Sequence, residues 1–328
     1  MDAGEPMPRA RDRQRASLAV PVTAAYIGAI AVLAHAAGVA YLLFPELGAL
    51  SHDVFKRPHG TWARAPVRLV LTPGLTALLG TLVTRNLVYG PVAVLLSVGS
   101  SILVIRLLRS PIAPAISAGL LPLALGIRTW LYAPSILLGT VALALLSLPW
   151  RRIMPPPRPT VRDLADDITE RTPARYGWVA FFLGFVAVGA TLAALSGQRL
   201  LLYPPLVVMG FEMFAHPAVC PWARRPLLLP LVCVLTATGG VALVALLGVG
   251  PLAAMGAILI GIAVLAAFDL HAPPALAVGL LPFVIPHPRL DFPLAVGAGT
   301  VLLAATFVIW RRLARRPAQS PRILSSAE

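Results

Sequence analysis

Seven ionisable side chains border apolar segments of the sequence, where a charge is costly. They are Glu46, His52, Asp53, Glu212, His216, Asp269 and His271. An ionisable group inside a membrane is rare and expensive, so each is a candidate functional residue. Most of them lie near the end of an apolar segment, and the alternative there is a solvated residue at the membrane boundary.

The stretch DLHAPPALAVGLLP (269–282) sets an acid, a histidine and two prolines in an apolar region. Proline fits the first turn of a helix, so Pro273 and Pro274 should begin a short helix and not kink one. The first N–H groups of that helix need an acceptor. Asp269 could be that acceptor, or the helix end could line a solute path, as in transporters with broken helices.

The composition places these residues in a membrane protein. The 328 residues are 58% hydrophobic and only 12% charged, and the mean hydropathy is +0.83; soluble domains average about 25% charged residues. The net charge of +14 does not indicate nucleic-acid binding, because the arginines cluster at the ends of apolar segments, where they set topology. Two cysteines, Cys220 and Cys233, do not form a disulfide framework.

The sequence repeats itself at a spacing of 160 residues. WARAP (62–66) matches WARRP (222–226), AGLLP (118–122) matches VGLLP (278–282), and WRR (150–152) matches WRR (310–312). Residues 62–152 and 222–312 share about 30 identities in 91 positions, which indicates a tandem duplication. Upstream, YLLFPEL (41–47) and LLLYPPL (200–206) match at a spacing of 159.

Each half contains six apolar segments. They are about 18–39, 41–54, 66–84, 89–108, 112–126 and 131–150, and then 177–197, 200–214, 226–247, 250–268, 272–286 and 292–310. A full span needs about 20 apolar residues, so the second and fifth segments of each half are short and either tilt, are buried or re-enter. The small-residue spacings Ala115–Gly119 and Ala275–Gly279 let helix backbones approach closely there.

The basic residues orient these segments. If all twelve segments cross, 23 basic residues lie on one side and four on the other, which predicts cytoplasmic termini and a cytoplasmic linker. The predicted fold is an all-α polytopic membrane protein of two parallel tandem repeats, with 8–12 crossings and 12 favoured. Its parts are a basic tail (1–17), repeat 1 (18–152), a proline-rich acidic linker (153–176), repeat 2 (177–312) and a basic tail (313–328).

The duplication pairs acids with bases. At a spacing of 160, Glu212 corresponds to His52 and Asp269 to Arg109. Such a pair would suit an interface between two related halves, and independent divergence would look the same. We expect Asp269 and Arg109 to lie near each other in the cytoplasmic half of a central interface.

The linker carries the only long polar stretch. Thr160 can cap a short helix with Asp163 in its first turn, and the spacing of Asp163 and Asp167 puts both carboxylates on one face. A metal site on this face is the alternative to a solvated surface helix, which we favour.

The repeat unit resembles the HPP family of integral membrane proteins. CPWARRP (220–226) stands where that family has an SPLAQPR-like loop, and HAPPALA (271–277) where it has an HPPAGA-like motif. Ala272 separates His271 from the prolines here, and the first half reads SPIAPA (110–115) without a histidine. Some members are linked to nitrite transport, so the resemblance implies transport of a small, anionic solute.

The expected function is therefore a secondary transporter or permease of the bacterial inner membrane. The alternatives are a non-transporting structural or accessory membrane protein and, less favoured, a membrane enzyme acting on a lipid-like substrate. The sequence has no GxxxxGK[ST], HExxH or GxSxG motif and no Cys/His cluster, so we expect no ATP motor, metal, cofactor or catalytic residue. The expected partners are the lipid bilayer and a small solute and not a nucleic acid; a homo-oligomer is possible but not indicated.

Overall fold

The chain is helical throughout the part described by the computed structural model, residues 10–154, 161–171, 177–286 and 291–314, where it contains no strand. The helices are α1 (Ala10–Ala37), α2 (Glu46–Lys56), α3 (Pro66–Asn86), α4 (Pro91–Leu107), α5 (Ala115–Leu125), α6 (Tyr132–Ile153), α7 (Val161–Thr169), α8 (Val179–Ser196), α9 (Pro204–Ala215), α10 (Leu228–Leu247), α11 (Pro251–Ala267), α12 (Pro274–Leu280) and α13 (Asp291–Ala314). The first helix begins inside the predicted basic tail. Thr160, predicted as a cap, and residues 315–328 of the second tail lie outside the described residues.

Within the described ranges, six helices are long and apolar enough to cross a membrane: α1, α3, α6, α8, α10 and α13. This architecture is that of a multi-pass helical membrane protein. The helices α4 and α11 have 17 residues each and are shorter than the predicted segments 89–108 and 250–268. Both begin at a proline after an extended glycine, and the chain turns soon after each ends, at Arg109 and Asp269, which adopt φ 46° and φ 45°.

The long helices turn their apolar side chains outward. In α3, the leucines at positions 71, 75, 78 and 82 are 41–47% exposed, and this spacing forms one stripe along the helix. The threonines of α3 at positions 72, 76, 81 and 84 are buried. A soluble helix would show the reverse pattern, so this stripe faces lipid.

Four short helices, α2, α5, α9 and α12, form the centre of the molecule. They have 11, 11, 12 and 7 residues and nearly every residue in them is buried. The predicted short segments are thereby confirmed as short. The prediction that the double proline begins a helix is also confirmed, because Pro273 is the N-cap of α12 and Pro274 is its first residue.

The short helices join the two halves. Across the boundary α2 packs on α12 and α5 packs on α9, while at the periphery α1 packs on α11 and α4 packs on α8. Within the halves, α3 packs on α4, α5 and α6, and α10 packs on α11, α12 and α13. Each pairing has a counterpart in the other half.

Glycines allow the closest of these contacts. A Cβ at Gly80 of α3 would lie 1.9 Å from the carbonyl oxygen of Gly119 in α5, and a Cβ at Gly240 of α10 would lie 2.1 Å from that of Gly279 in α12. Ala115 and Ala275, one turn before these carbonyls, are fully buried. The backbones therefore touch at equivalent points in both halves.

Candidate site beneath the linker helix

The linker helix α7 lies against the membrane helices. The prediction of a solvated surface helix is therefore wrong. Asp166, Thr169 and Glu170 on its inner side are 6%, 4% and 7% exposed. Asp166 and Glu170 can be buried because they contact His271 of the second half and Arg57 of the first.

Arg57 makes the central contacts of this site. It follows α2 as its C-cap. Its Nε donates to Asp53 Oδ1 at 2.7 Å, one terminal nitrogen donates to Asp167 Oδ1 at 3.2 Å, and the other donates to Glu170 Oε1. The guanidinium is 7% exposed. One buried cation thus holds the linker helix to the end of α2 through charge-assisted hydrogen bonds.

Three further residues hold α7 in place. The backbone N–H and the hydroxyl of Thr61 both donate to Asp167 Oδ1, at 3.2 and 2.9 Å. His271 Nε2 lies 3.3 Å from Asp166 Oδ2, and His216 Nε2 lies 3.0 Å from the carbonyl oxygen of Arg171. The helix is therefore held by both halves of the chain.

The ends of α2 and α9 are structural equivalents at a spacing of 159 residues. The Arg57 N–H bonds to the Asp53 carbonyl at 2.7 Å, and the His216 N–H bonds to the Glu212 carbonyl at 2.9 Å. The backbone angles of Arg57 and His216 also agree. Glu212 therefore corresponds to Asp53, and the predicted correspondence to His52 is wrong by one residue. The spacing between equivalent residues is 160 at the tryptophan loops, WAR (62–64) and WAR (222–224), and 159 upstream of them.

A small cavity lies beneath α7. Its volume is about 10 Å³, and it is lined by Trp62, Asp166, Thr169, Glu170, Glu212, Trp222, His271, Pro273 and Pro274. This is about the space that one water molecule needs. Two equivalent tryptophans, Trp62 and Trp222, line this one cavity, so the loops after α2 and α9 converge on the same face of the molecule.

The cluster around the cavity holds more carboxylates than cations. Among the described residues, the guanidinium of Arg57 and the ring of His271 are surrounded by five acids: Asp53, Asp166, Asp167, Glu170 and Glu212. Asp53 Oδ2 and Glu170 Oε2 are buried and have no hydrogen-bond partner in the described part of the chain.

Two acids of the cluster, Asp166 and Glu170, keep their protons more readily than ordinary carboxyls. Burial raises the pKa of Asp166 to about 7 against the opposing charge of Arg57. Burial, and then the neighbouring charge of Asp53, hold the pKa of Glu170 well above its usual range. Like charges that share one buried site cannot all ionise together.

The structure brings some predicted residues to this site and leaves others apart. Glu212, His271, Pro273 and Pro274 line the cavity, and His216 holds the end of the linker helix.

Arg109 and Asp269 are exposed at the ends of α4 and α11 and do not line the cavity. Their predicted proximity to each other stays a prediction.

Two candidates of the first half lie elsewhere on α2. Glu46 is its first residue and is fully buried, and both carboxylate oxygens lack a hydrogen bond of ordinary geometry to any described group, although the Ser117 hydroxyl lies close enough to interact. His52 is also buried, and its Nδ1 has no partner among the described residues. Both side chains are costly to bury, which keeps them functional candidates.

Sequence reasoning missed Arg57, Asp166, Glu170 and the two cavity tryptophans. Arg57 is one of the 23 basic residues that predict the topology, and nothing else in the sequence singles it out. The i, i+4 spacing of Asp166 and Glu170 in the linker, and the repeated WAR of the two loops, are the signals that could have found them.

Comparison of the chain with protein-family models, curated proteins and solved structures finds no match. The resemblance to the HPP family therefore stays a prediction. Within the described ranges, no group of three or more histidine, cysteine, aspartate or glutamate side chains is arranged to hold a metal ion.

Proposed function

We propose that the protein is a secondary transporter or permease whose solute path runs between its two halves. The observation that carries this proposal is the cluster of buried ionisable groups where α2, α9 and the start of α12 meet. An ionisable group buried in a membrane protein is by default a candidate for a solute or proton pathway.

The path would lie on an axis between two parallel repeats. Equivalent contacts support this arrangement: Arg151 donates to the Ala63 carbonyl at 3.4 Å, and 160 residues on Arg311 donates to the Ala223 carbonyl at 3.1 Å. Trp62 and Trp222 on one cavity favour parallel over inverted repeats, because inverted repeats would place them on opposite faces. We propose twelve segments with the termini and linker on the cytoplasmic side of an inner membrane.

The negative charge of the cluster affects which solute can pass. Ionised carboxylates would repel a small anion such as nitrite from this end of the path. We therefore propose that an anionic solute moves together with a proton, which neutralises Glu212 on the α9 side of the cavity as the solute passes.

A flux assay tests this proposal. Purified protein in liposomes would be given nitrite, formate or chloride, with and without a pH gradient, and compared with Glu212→Gln and with Asp291→Asn, a matched neutralisation at an exposed residue of α13. We expect proton-dependent uptake of at least one anion that Glu212→Gln largely abolishes and Asp291→Asn retains. Folded wild-type protein that moves none of the three faster than empty liposomes would contradict the proposal.

The small cavity favours a second candidate, a non-transporting accessory membrane protein. A space of about 10 Å³ admits one water and no solute. The same flux assay separates the two candidates, since an accessory protein gives no uptake at any pH.

A further inference from the structure

The linker helix closes the cavity from one side and is bound by both halves. Arg57 and Thr61 hold it to the first half, and His271 and His216 hold it to the second. Thr169, Asp166 and Glu170 form the lid of the cavity beneath it. Movement of α7 away from the core would open that cavity.

The contact surface carries a surplus of negative charge. Three of its acids, Asp53, Asp167 and Glu170, contact the buried Arg57, and Asp166 lies against His271. Two buried oxygens, Asp53 Oδ2 and Glu170 Oε2, find no donor among the described groups, and both side chains are at least nine-tenths buried. An unpartnered ionised carboxylate at such a depth is strongly unfavourable.

We propose that this cluster is a proton-binding site, and that its protons hold α7 over the cavity as a latch. Docking of the helix takes up protons, and loss of those protons releases it. The role of the latch in gating rests on the transport function proposed above, whereas the docking equilibrium itself does not.

Groups on every neighbouring element act on Asp166. Asp163 faces it from α7 and Glu170 from the residue after that helix. Asp53, Lys56 and the C-cap Arg57 face it from the end of α2. His271 faces it from the loop before α12, and Glu212 from α9. Lys56 and Arg57 oppose protonation and the acids favour it. Burial raises the pKa of Asp166 by more than Arg57 and Lys56 lower it.

The sign of the pH dependence follows from linkage. The pKa of Asp166 is raised from its ordinary value of 3.8 to about 7 in the docked state, and that of Glu170 is raised as well. The docked state then binds more protons than the released state between these values, so docking weakens as pH rises. The helix should be docked at pH 5 and released more readily at pH 8.

Thiol labelling on α7 tests the latch. Thr169→Cys puts a thiol on the buried face, and Ile168→Cys puts one on the exposed face of the same helix, where the native side chain is 41% exposed. The measured quantity is the maleimide reaction rate of Thr169→Cys divided by that of Ile168→Cys, and this division cancels the effect of pH on thiol chemistry. Wild-type protein gives the background from the buried Cys220 and Cys233. We expect this ratio to rise at least about tenfold from pH 5 to pH 8, since one pKa unit corresponds to a factor of ten.

Two variants sharpen the result. Asp166→Asn mimics the protonated acid, so it should keep Thr169→Cys protected at pH 8. Arg57→Ala should expose it already at pH 5. Any one of three results would overturn the proposal. The first is a rate ratio that is equal at both pH values, the second is an Asp166→Asn variant that responds to pH like its parent, and the third is an Arg57→Ala variant that stays protected. Because labelling reports docking alone, these failures are distinct from a failure of flux.

Discussion

The two halves of the chain make the same helix contacts and place different polar side chains at equivalent points. The glycine contacts of α3 with α5 and of α10 with α12 recur almost unchanged, as do the arginine contacts to the two tryptophan loops. The ends of α2 and α9 differ: Arg57 binds three carboxylates, whereas His216 binds one backbone carbonyl. A residue that packs directly against a backbone carbonyl leaves no room for a different side chain, whereas a polar side chain can take a different partner.

The two peripheral seams between the halves, where α4 packs on α8 and α1 packs on α11, also carry different side chains. Where α4 meets α8, the Tyr89 hydroxyl donates to the Arg199 carbonyl at 3.3 Å and the Arg199 guanidinium lies 5.3 Å from the Tyr89 ring. At the equivalent place between α1 and α11, Ala40 and Val249 leave a pocket of about 300 Å³. One seam is filled by its own side chains and the other is open.

The largest expected difference between the halves is at the ends of α2 and α9. Arg57→Ala leaves buried carboxylates without their cation and should weaken the docking of α7 by about 3–5 kcal/mol. His216→Ala removes one hydrogen bond and should cost about 1 kcal/mol. Hydrogen exchange of the amides in Val161–Thr169 measures both effects, and equal loss of protection in the two variants would contradict the asymmetry.

The glycine contacts should respond alike in the two halves. Gly80→Ala and Gly240→Ala each force a methyl group into a backbone carbonyl, so each should destabilise the protein by about 1–3 kcal/mol. Gly99→Ala is the matched control, because a Cβ there meets no described atom within 4 Å. Thermal unfolding in detergent measures all three. A large loss in only one half would show that the halves do not pack equivalently.

The smallest effects are expected at the seams. Tyr89→Ala should cost about 1 kcal/mol because it removes the ring under the Arg199 guanidinium. Val249→Tyr, which supplies the missing ring at the open seam, should be neutral or mildly stabilising. The unfolding temperatures of the two variants test this, and a Val249→Tyr protein less stable than Tyr89→Ala would mean that the open pocket cannot accept a ring.

The sequence predicted the helical membrane class and the short central segments, because apolar run length and proline position are local signals. It placed the start of α12 correctly, since the missing N–H of Pro274 favours the first turn. It failed for α7, because the burial of Asp166 and Glu170 depends on Arg57, more than a hundred residues away. It also misaligned Glu212 with His52, because a spacing of 160 was applied to a region where the YLLFPEL and LLLYPPL segments match at 159. The matching ends of α2 and α9 show that 159 applies there.

The most direct test of a solute path closed by α7 is nitrite uptake by a Thr61→Cys/Asp167→Cys protein whose two thiols are joined by a short reducible crosslink. These side chains meet at 2.9 Å in the docked state, so the crosslink holds α7 in place. The account predicts that uptake is lost in the crosslinked protein and returns on reduction to the rate of the same variant left unjoined. Uptake that is equally fast before and after reduction would contradict it.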